Sequence, residues 1–332
     1  MRNLSLPYAF GIMILVALVM FPIQAVANPT VRSGKTYYSL KPTDSIKTLL
    51  EHPAFSGFGR HLLPRSSDAS NSDLPLSRIS SLLPYHSHVN ISVVLAALNH
   101  MVDKAKEGET LFYHFYTESQ RQQEPEKNDT GLFFFRGNPG APFAVICPGG
   151  GFSYVGSVHE GFPYALELSK KGYNAFVLKY RVGQGGTAAT TDLAAALSFI
   201  VKNADSLAVN PDGYSLWGSS AGARMAASLA SYGTASFGGS QINAPSIVVM
   251  AYTGHTDFTP NDPPTFVTVS ENDPIINVAA VERRIRTMRN AGIEVAYQKY
   301  ENVGHGFGLG TGTEAEGWID LAIQFWATHI GQ

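Results

Sequence analysis

The sequence predicts an α/β protein with a mostly parallel central sheet, helices on both faces and an irregular N-terminal arm. Three observations carry this. After Gly140, short apolar runs bounded by Gly, Pro and Asp alternate with stretches of helical periodicity. Glycine-rich turns fall at the ends of the expected strands. Charged residues make up 15% of the 332 residues against 44% hydrophobic, enough apolar side chain for a large core and too much for wholesale disorder.

Read in order, residues 8–21 are an unbroken apolar run behind Arg2, followed by Pro22 and by Ala25-Val26-Ala27. The run is short for a membrane span of about 20 residues. The small-x-small pattern predicts an export signal over 1–27, cleaved to leave a mature chain from Asn28 without a stable membrane span, periplasmic or secreted. Residues 28–107 read as a loop-rich arm, a candidate lid, ending in a helix. Asn90 is its N-cap, Ile91, Val94, Leu95, Leu98, Met101, Val102 and Ala105 its apolar stripe, and Gly108 its stop. The remaining domain spans 108–332. It opens with two aromatic runs, 111–116 and 132–135, expected as an antiparallel pair at a sheet edge. Strands follow at 143–147, 174–179, 213–217, 246–252, 265–270 and 295–300, with helices near 161–171, 188–205, 221–231, 278–291 and 314–329.

Composition excludes some functions. Lys and Arg total 24 and Asp and Glu 26, a net charge of −2 with no basic run, so the footprint of a nucleic-acid binder is missing. Cys147 is the single cysteine, which leaves no intrachain disulfide and no cysteine-rich zinc site.

The chemistry collects where strands end, as it does in parallel sheets. Gly218-Ser219-Ser220-Ala221-Gly222 fits G-x-S-x-G between a strand and a helix, and only Ser220 has glycine two residues to either side. It is the candidate nucleophile. Cys147-Pro148-Gly149-Gly150-Gly151-Phe152 lets backbone N–H groups approach a ligand, and the N–H groups of Gly150 and Gly151, with that of Ala221, are candidate oxyanion donors. A phosphate-cradling loop is the competing reading, but the Lys-Ser/Thr ending of a P-loop is missing.

A serine nucleophile needs a base, and the base an orienting acid. His305 lies in the glycine loop Gly304-His305-Gly306-Phe307-Gly308 and is the candidate base. His159 could line the site, His255 follows a strand, His329 sits in the last helix, and a metal site at His86-Ser87-His88 lacks partner ligands. For the acid, Asp273 in Glu271-Asn272-Asp273-Pro274 is favoured over Asp257, which also follows a strand. Asp192 reads as a dipole partner or supporting group rather than a catalyst. Phe152 and Tyr154 beside the glycine loop could stack on sugar rings or belong to the core.

The stretches FAVICPGGGF, GYNAFVLKYR, LWGSSAGARMA and GHGFG resemble the α/β-hydrolases, more narrowly the acetyl-esterase branch with its acetylxylan and feruloyl esterase-like proteins, related to hormone-sensitive-lipase-like esterases. The resemblance runs from about Gly108 to the end, with Cys147-Pro148 standing where many relatives have His-Gly. It implies the α/β-hydrolase fold, a triad of Ser220, His305 and Asp273, and an oxyanion hole from Gly150, Gly151 and Ala221. The substrate it implies is a short acyl ester, expected to be an O-acetyl group on carbohydrate, hydrolysed without cofactor or metal. A lipase, an amide or peptide hydrolase of the same fold, and a non-catalytic carbohydrate-binding protein are the alternatives.

Overall fold

The structure, a computed structural model, describes residues 36–331, so the expected export signal over 1–27 lies outside the described residues. Eight strands, β1 (Phe112–Tyr113), β2 (Gly131–Phe135), β3 (Pro142–Cys147), β4 (Asn174–Lys179), β5 (Asn210–Ser219), β6 (Ile247–Ala251), β7 (Thr265–Ser270) and β8 (Val295–Tyr300), form one sheet. Their order is β1-β2-β4-β3-β5-β6-β7-β8. β1 and β2 are antiparallel to their neighbours at one edge, and every other pairing is parallel.

Alternation along the strands divides the apolar side chains between two cores, since successive side chains point to opposite faces. Phe133, Ala144, Ile146, Val177, Trp217 and Val249 face one side, where the helices Ile91–Lys106, Phe162–Lys170 and Trp318–Ala327 cover them. Phe134, Val145, Phe176, Leu216 and Met250 face the other, under the helices Gly185–Lys202, Ala221–Tyr232 and Val278–Asn290. β4 and β7 are buried at every position, and the apolar residues Ala175–Leu178 of β4 and Phe266, Val267 and Val269 of β7 place both strands where the sequence predicts them.

Some boundaries move for local reasons. The last helix begins at Trp318 rather than near Glu314 because Gly317 sits at φ +89° and breaks the ladder. The helix expected over 188–205 runs from Gly185 to Lys202, stops at Asn203, and resumes as the short turn Ala204–Leu207. The connector between β1 and β2 is not plain coil, since Thr117 and Gln120 form a capping box on the helix Glu118–Gln123. Among the described residues no helix is long and apolar enough to cross a membrane.

The arm differs most from expectation. It is a chain of short turns, the helix Ile46–Glu51 and four 3-10 segments, whose Leu40, Ile46, Leu49, Phe55, Phe58, Leu62, Leu76 and Ile79 are part of the first core. The Phe58 ring stacks on Phe112 of β1 at 5.2 Å. The arm is therefore integral to the fold, not a flap over it.

A buried cation ties arm to sheet. Lys179, last in β4, donates from Nζ to the carbonyl oxygens of Leu63 (2.5 Å) and Pro64 (2.9 Å). Burial pushes its pKa down to about 7, against the opposing pull of Asp129 and Asp68. An unfolded chain keeps the lysine proton up to the ordinary value of 10.5. Between these limits the unfolded state binds more protons, so stability rises with pH. Urea unfolding should give increasing stability from pH 7 to pH 9, and Lys179→Met should flatten that slope; equal slopes in both proteins would contradict this linkage.

Candidate active site

The strand order reverses at β3. The chain steps outward from β3 to β4 and then returns to the other side of β3 as β5. Such a switch point opens a crevice at the carboxyl ends of the two strands. The glycine loop leaves β3 there, and Ser220 follows β5.

Ser220 has φ 50° and ψ −115°, a strained conformation for a residue with a side chain, and it precedes the helix Ala221–Tyr232. Its N–H is held by the carbonyl of Ala251, at 2.8 Å. The turn is this tight only because of its glycines. A Cβ on Gly222 would lie 1.9 Å from the carbonyl oxygen of Cys147, and one on Gly218 would lie 2.5 Å from the backbone of Ala223.

His305 Nε2 lies 3.0 Å from Ser220 Oγ, and His305 Nδ1 lies 2.7 Å from Asp273 Oδ2. A carboxylate only accepts, so Nδ1 carries the proton and Nε2 is left to accept from the serine hydroxyl. Asp273 is oriented in turn, because its Oδ1 accepts from the N–H groups of Ile275 (2.8 Å) and Ile276 (3.1 Å). The loop bearing His305 is clamped from β7, where Ser270 Oγ accepts from Val303 and Gly304 N–H. Asp257, the rival acid, lies elsewhere, accepting from the hydroxyl of Tyr232.

The glycine loop packs against the serine, since a Cβ on Gly149 would stand 3.1 Å from Ser220 Cβ. Gly149 N–H is taken by Glu160 Oε2 at 2.5 Å. The N–H groups of Gly150, Gly151 and Ala221 find no acceptor among the described residues. Backbone donors free of internal partners are what an incoming oxyanion requires.

Two of the three residues expected to touch substrate are placed elsewhere. Tyr154 is fully buried, its hydroxyl 3.0 Å from Tyr85 N and 2.8 Å from His86 Nδ1. His159 is buried and donates from Nε2 to the carbonyl of Gly306 at 2.9 Å, and burial, helped by the neighbouring His86, pushes its pKa down to about 4. Both are supports, because the arm closes over them. Phe152 stays half-exposed, with its ring against Tyr180. Asp192 is buried in the middle of its helix, away from the helix terminus, where it pairs with Arg181 and accepts from Tyr116.

Three residues at the site are given no role there by the sequence. Glu160 and His86 are buried against each other beneath the glycine loop, 2.9 Å apart. Tyr85 is 45% exposed, and its ring would meet a Cβ on Gly151 at 3.1 Å. No local pattern marks Glu160 or Tyr85, though Glu160 adjoins His159, and the sequence offers His86 only as half of a metal site with His88. Among the described residues no group of three or more His, Cys, Asp or Glu could hold a metal ion.

The sheet order and the switch-point crevice are those of the α/β-hydrolase fold. The BD-FAE family model matches residues 136–259. An acetylxylan esterase of Xylanibacter ruminicola is 24% identical over 208 residues, which is 54% of this chain. The match spans only 43% of that relative's length. MGS-M1, an α/β-hydrolase enzyme from a deep-sea metagenome library, superimposes with a TM-score of 0.53 at 25% identity, covering 60% of this chain and 92% of that one. The acetyl ester-xyloside bifunctional hydrolase of Caldicellulosiruptor lactoaceticus gives 0.54 at 19% identity, covering 61% and 89%. The chain thus has the α/β-hydrolase fold, and its similarity lies with the acetyl and feruloyl esterase-like branch.

The tight turn at Ser220, an elbow between β5 and the helix Ala221–Tyr232, can be tested directly. Alanine is favoured over glycine in a helix by about 1 kcal/mol, yet at 222 its Cβ meets fixed backbone. Gly222→Ala should therefore destabilise the protein, by about 2–3 kcal/mol in urea unfolding; a variant as stable as the native chain would contradict the geometry.

Proposed function

We propose that the protein is a serine esterase acting on short acyl esters, with O-acetyl groups on carbohydrate as its substrates. The observation that carries this reading is the unbroken line Asp273–His305–Ser220, with distances of 2.7 and 3.0 Å. Ser220 Oγ attacks the ester carbonyl while His305 Nε2 takes its proton, and Asp273 steadies the imidazolium that forms. The carbonyl oxygen, now negative, is received by the N–H groups of Gly150, Gly151 and Ala221, each donor worth roughly 3–4 kcal/mol in such sites. His305 returns the proton to the leaving alcohol. Water, activated by the same ring, then releases the acyl group and restores the serine.

Three features support the carbohydrate ester. The family match and the acetylxylan esterase similarity point to esters of this class. The exposed ring of Tyr85 and the half-exposed ring of Phe152 stand beside the donor loop, where aromatic faces can pack against a sugar. An exported location, read from residues 1–27, fits an insoluble or extracellular polymer.

Ser220→Ala should lower turnover of p-nitrophenyl acetate by about 10⁵- to 10⁶-fold, as loss of a triad nucleophile does. Asp273→Asn should also collapse turnover, while Asp257→Asn leaves it near native; the reverse pattern would reassign the acid. Acetate release from acetylated polysaccharides should depend on Ser220, and turnover should fall as the acyl chain lengthens. Preference for long chains would favour a lipase.

A further inference from the structure

We infer that Glu160 and His86 are positioning residues for the oxyanion loop, so that the N-terminal arm forms part of the active-site apparatus; this rests on the esterase function proposed for the site. Glu160 is fully buried and accepts three hydrogen bonds. Its Oε1 takes His86 Nε2 at 2.9 Å and the Tyr252 hydroxyl at 2.8 Å, and its Oε2 takes Gly149 N–H at 2.5 Å. Burial alone would push the Glu160 pKa up, but His86, His159 and Tyr252 outweigh it and hold it at about 2. An ionised carboxylate can only accept, so His86 Nε2 donates whichever charge the ring carries.

This arrangement has a consequence for the donors. Gly149 is the loop residue against Ser220, and its amide is pinned while those of Gly150 and Gly151 stay free. The plane that carries Gly151 N–H is held by the Gly150 carbonyl, which accepts from the N–H groups of Ser153 (3.0 Å) and Tyr154 (3.2 Å), and a preorganised donor needs that rigidity. Gly149 is further held by its carbonyl, which accepts from Gly156 N–H at 2.9 Å.

The far end of the chain of contacts is the arm. His86 Nδ1 meets the Tyr154 hydroxyl at 2.8 Å, and that hydroxyl also accepts from Tyr85 N–H. Next along, Ser87 donates from N and Oγ to the carbonyl of His305. Residues 85–87 therefore run between the glycine loop and the histidine loop and brace both.

The test compares His86→Leu, His86→Gln and Glu160→Gln, with kcat and KM for p-nitrophenyl acetate expressed per site titrated by a fluorophosphonate. Glutamine places an N–H donor where His86 has Nε2–H, so it should retain most of kcat. His86→Leu and Glu160→Gln should each lower kcat by about tenfold or more with KM little changed, a share of what losing a donor outright costs. The double variant should be no worse than the poorer single one, because both act through one contact. Loss confined to melting temperature or to the titratable fraction, with kcat per site unchanged, would overturn the inference. So would equal damage from glutamine and leucine.

Hydrogen exchange on the native protein covers the case in which a variant does not fold. The Gly149 amide should be strongly protected, and exchange at the rate of a free loop would overturn the inference. Ser220→Ala run alongside separates the two failures. Turnover that survives it sinks the esterase reading, whereas Ser220-dependent turnover indifferent to His86 sinks only the positioning role.

Discussion

The backbone at the end of β5 is the constraint on which the rest depends. To present Ser220 at the mouth of the switch-point crevice, the chain turns from strand to helix within one residue, at φ 50°. That turn is sterically open only with glycine at 218 and 222: at 222 the backbone of Cys147 and Pro148 fills the space a Cβ would need, and at 218 the start of the helix itself does. The same close approach brings the glycine loop against the serine. The strained serine and the glycine loop against it are thus two consequences of one packing event between β3 and β5.

Around this point the molecule buries polar groups freely, and those of the site are matched. Asp273 is satisfied by two backbone amides and an imidazole, Glu160 by an imidazole, a phenol and an amide. Such networks are costly when incomplete and rigid when complete. Rigidity is what an active site of this kind needs, since its donors must already be in place when charge develops. The arm contributes to that rigidity through His86 and Ser87, and its own apolar side chains anchor it in the core beneath.

The legible parts of the sequence are those shaped by local forces. Strands such as β4 and β7 are buried at every position because both faces are covered, and their ends are set by the turns beside them. The elbow and the histidine loop are legible because backbone geometry demands glycine at fixed spacings, and composition records that demand. Asp273 and Asp257 look alike in sequence because both come after strands; only the three-dimensional register brings Asp273 to His305. The arm is illegible because 3-10 turns are too short to show a period. Glu160 and His86 are illegible for another reason: their partners lie far away in the chain, and no spacing rule connects them. Tyr154 and His159 mislead because proximity to a loop in sequence does not reveal which side of it the arm will cover.

The proposed mechanism stands on one reactive group. Intact-mass and peptide analysis after treatment with a fluorophosphonate should find a single adduct, on Ser220, and none on the Ser220→Ala protein. An unlabelled native protein, or an adduct on a different serine, would contradict the central claim that the strained residue after β5 is an activated nucleophile.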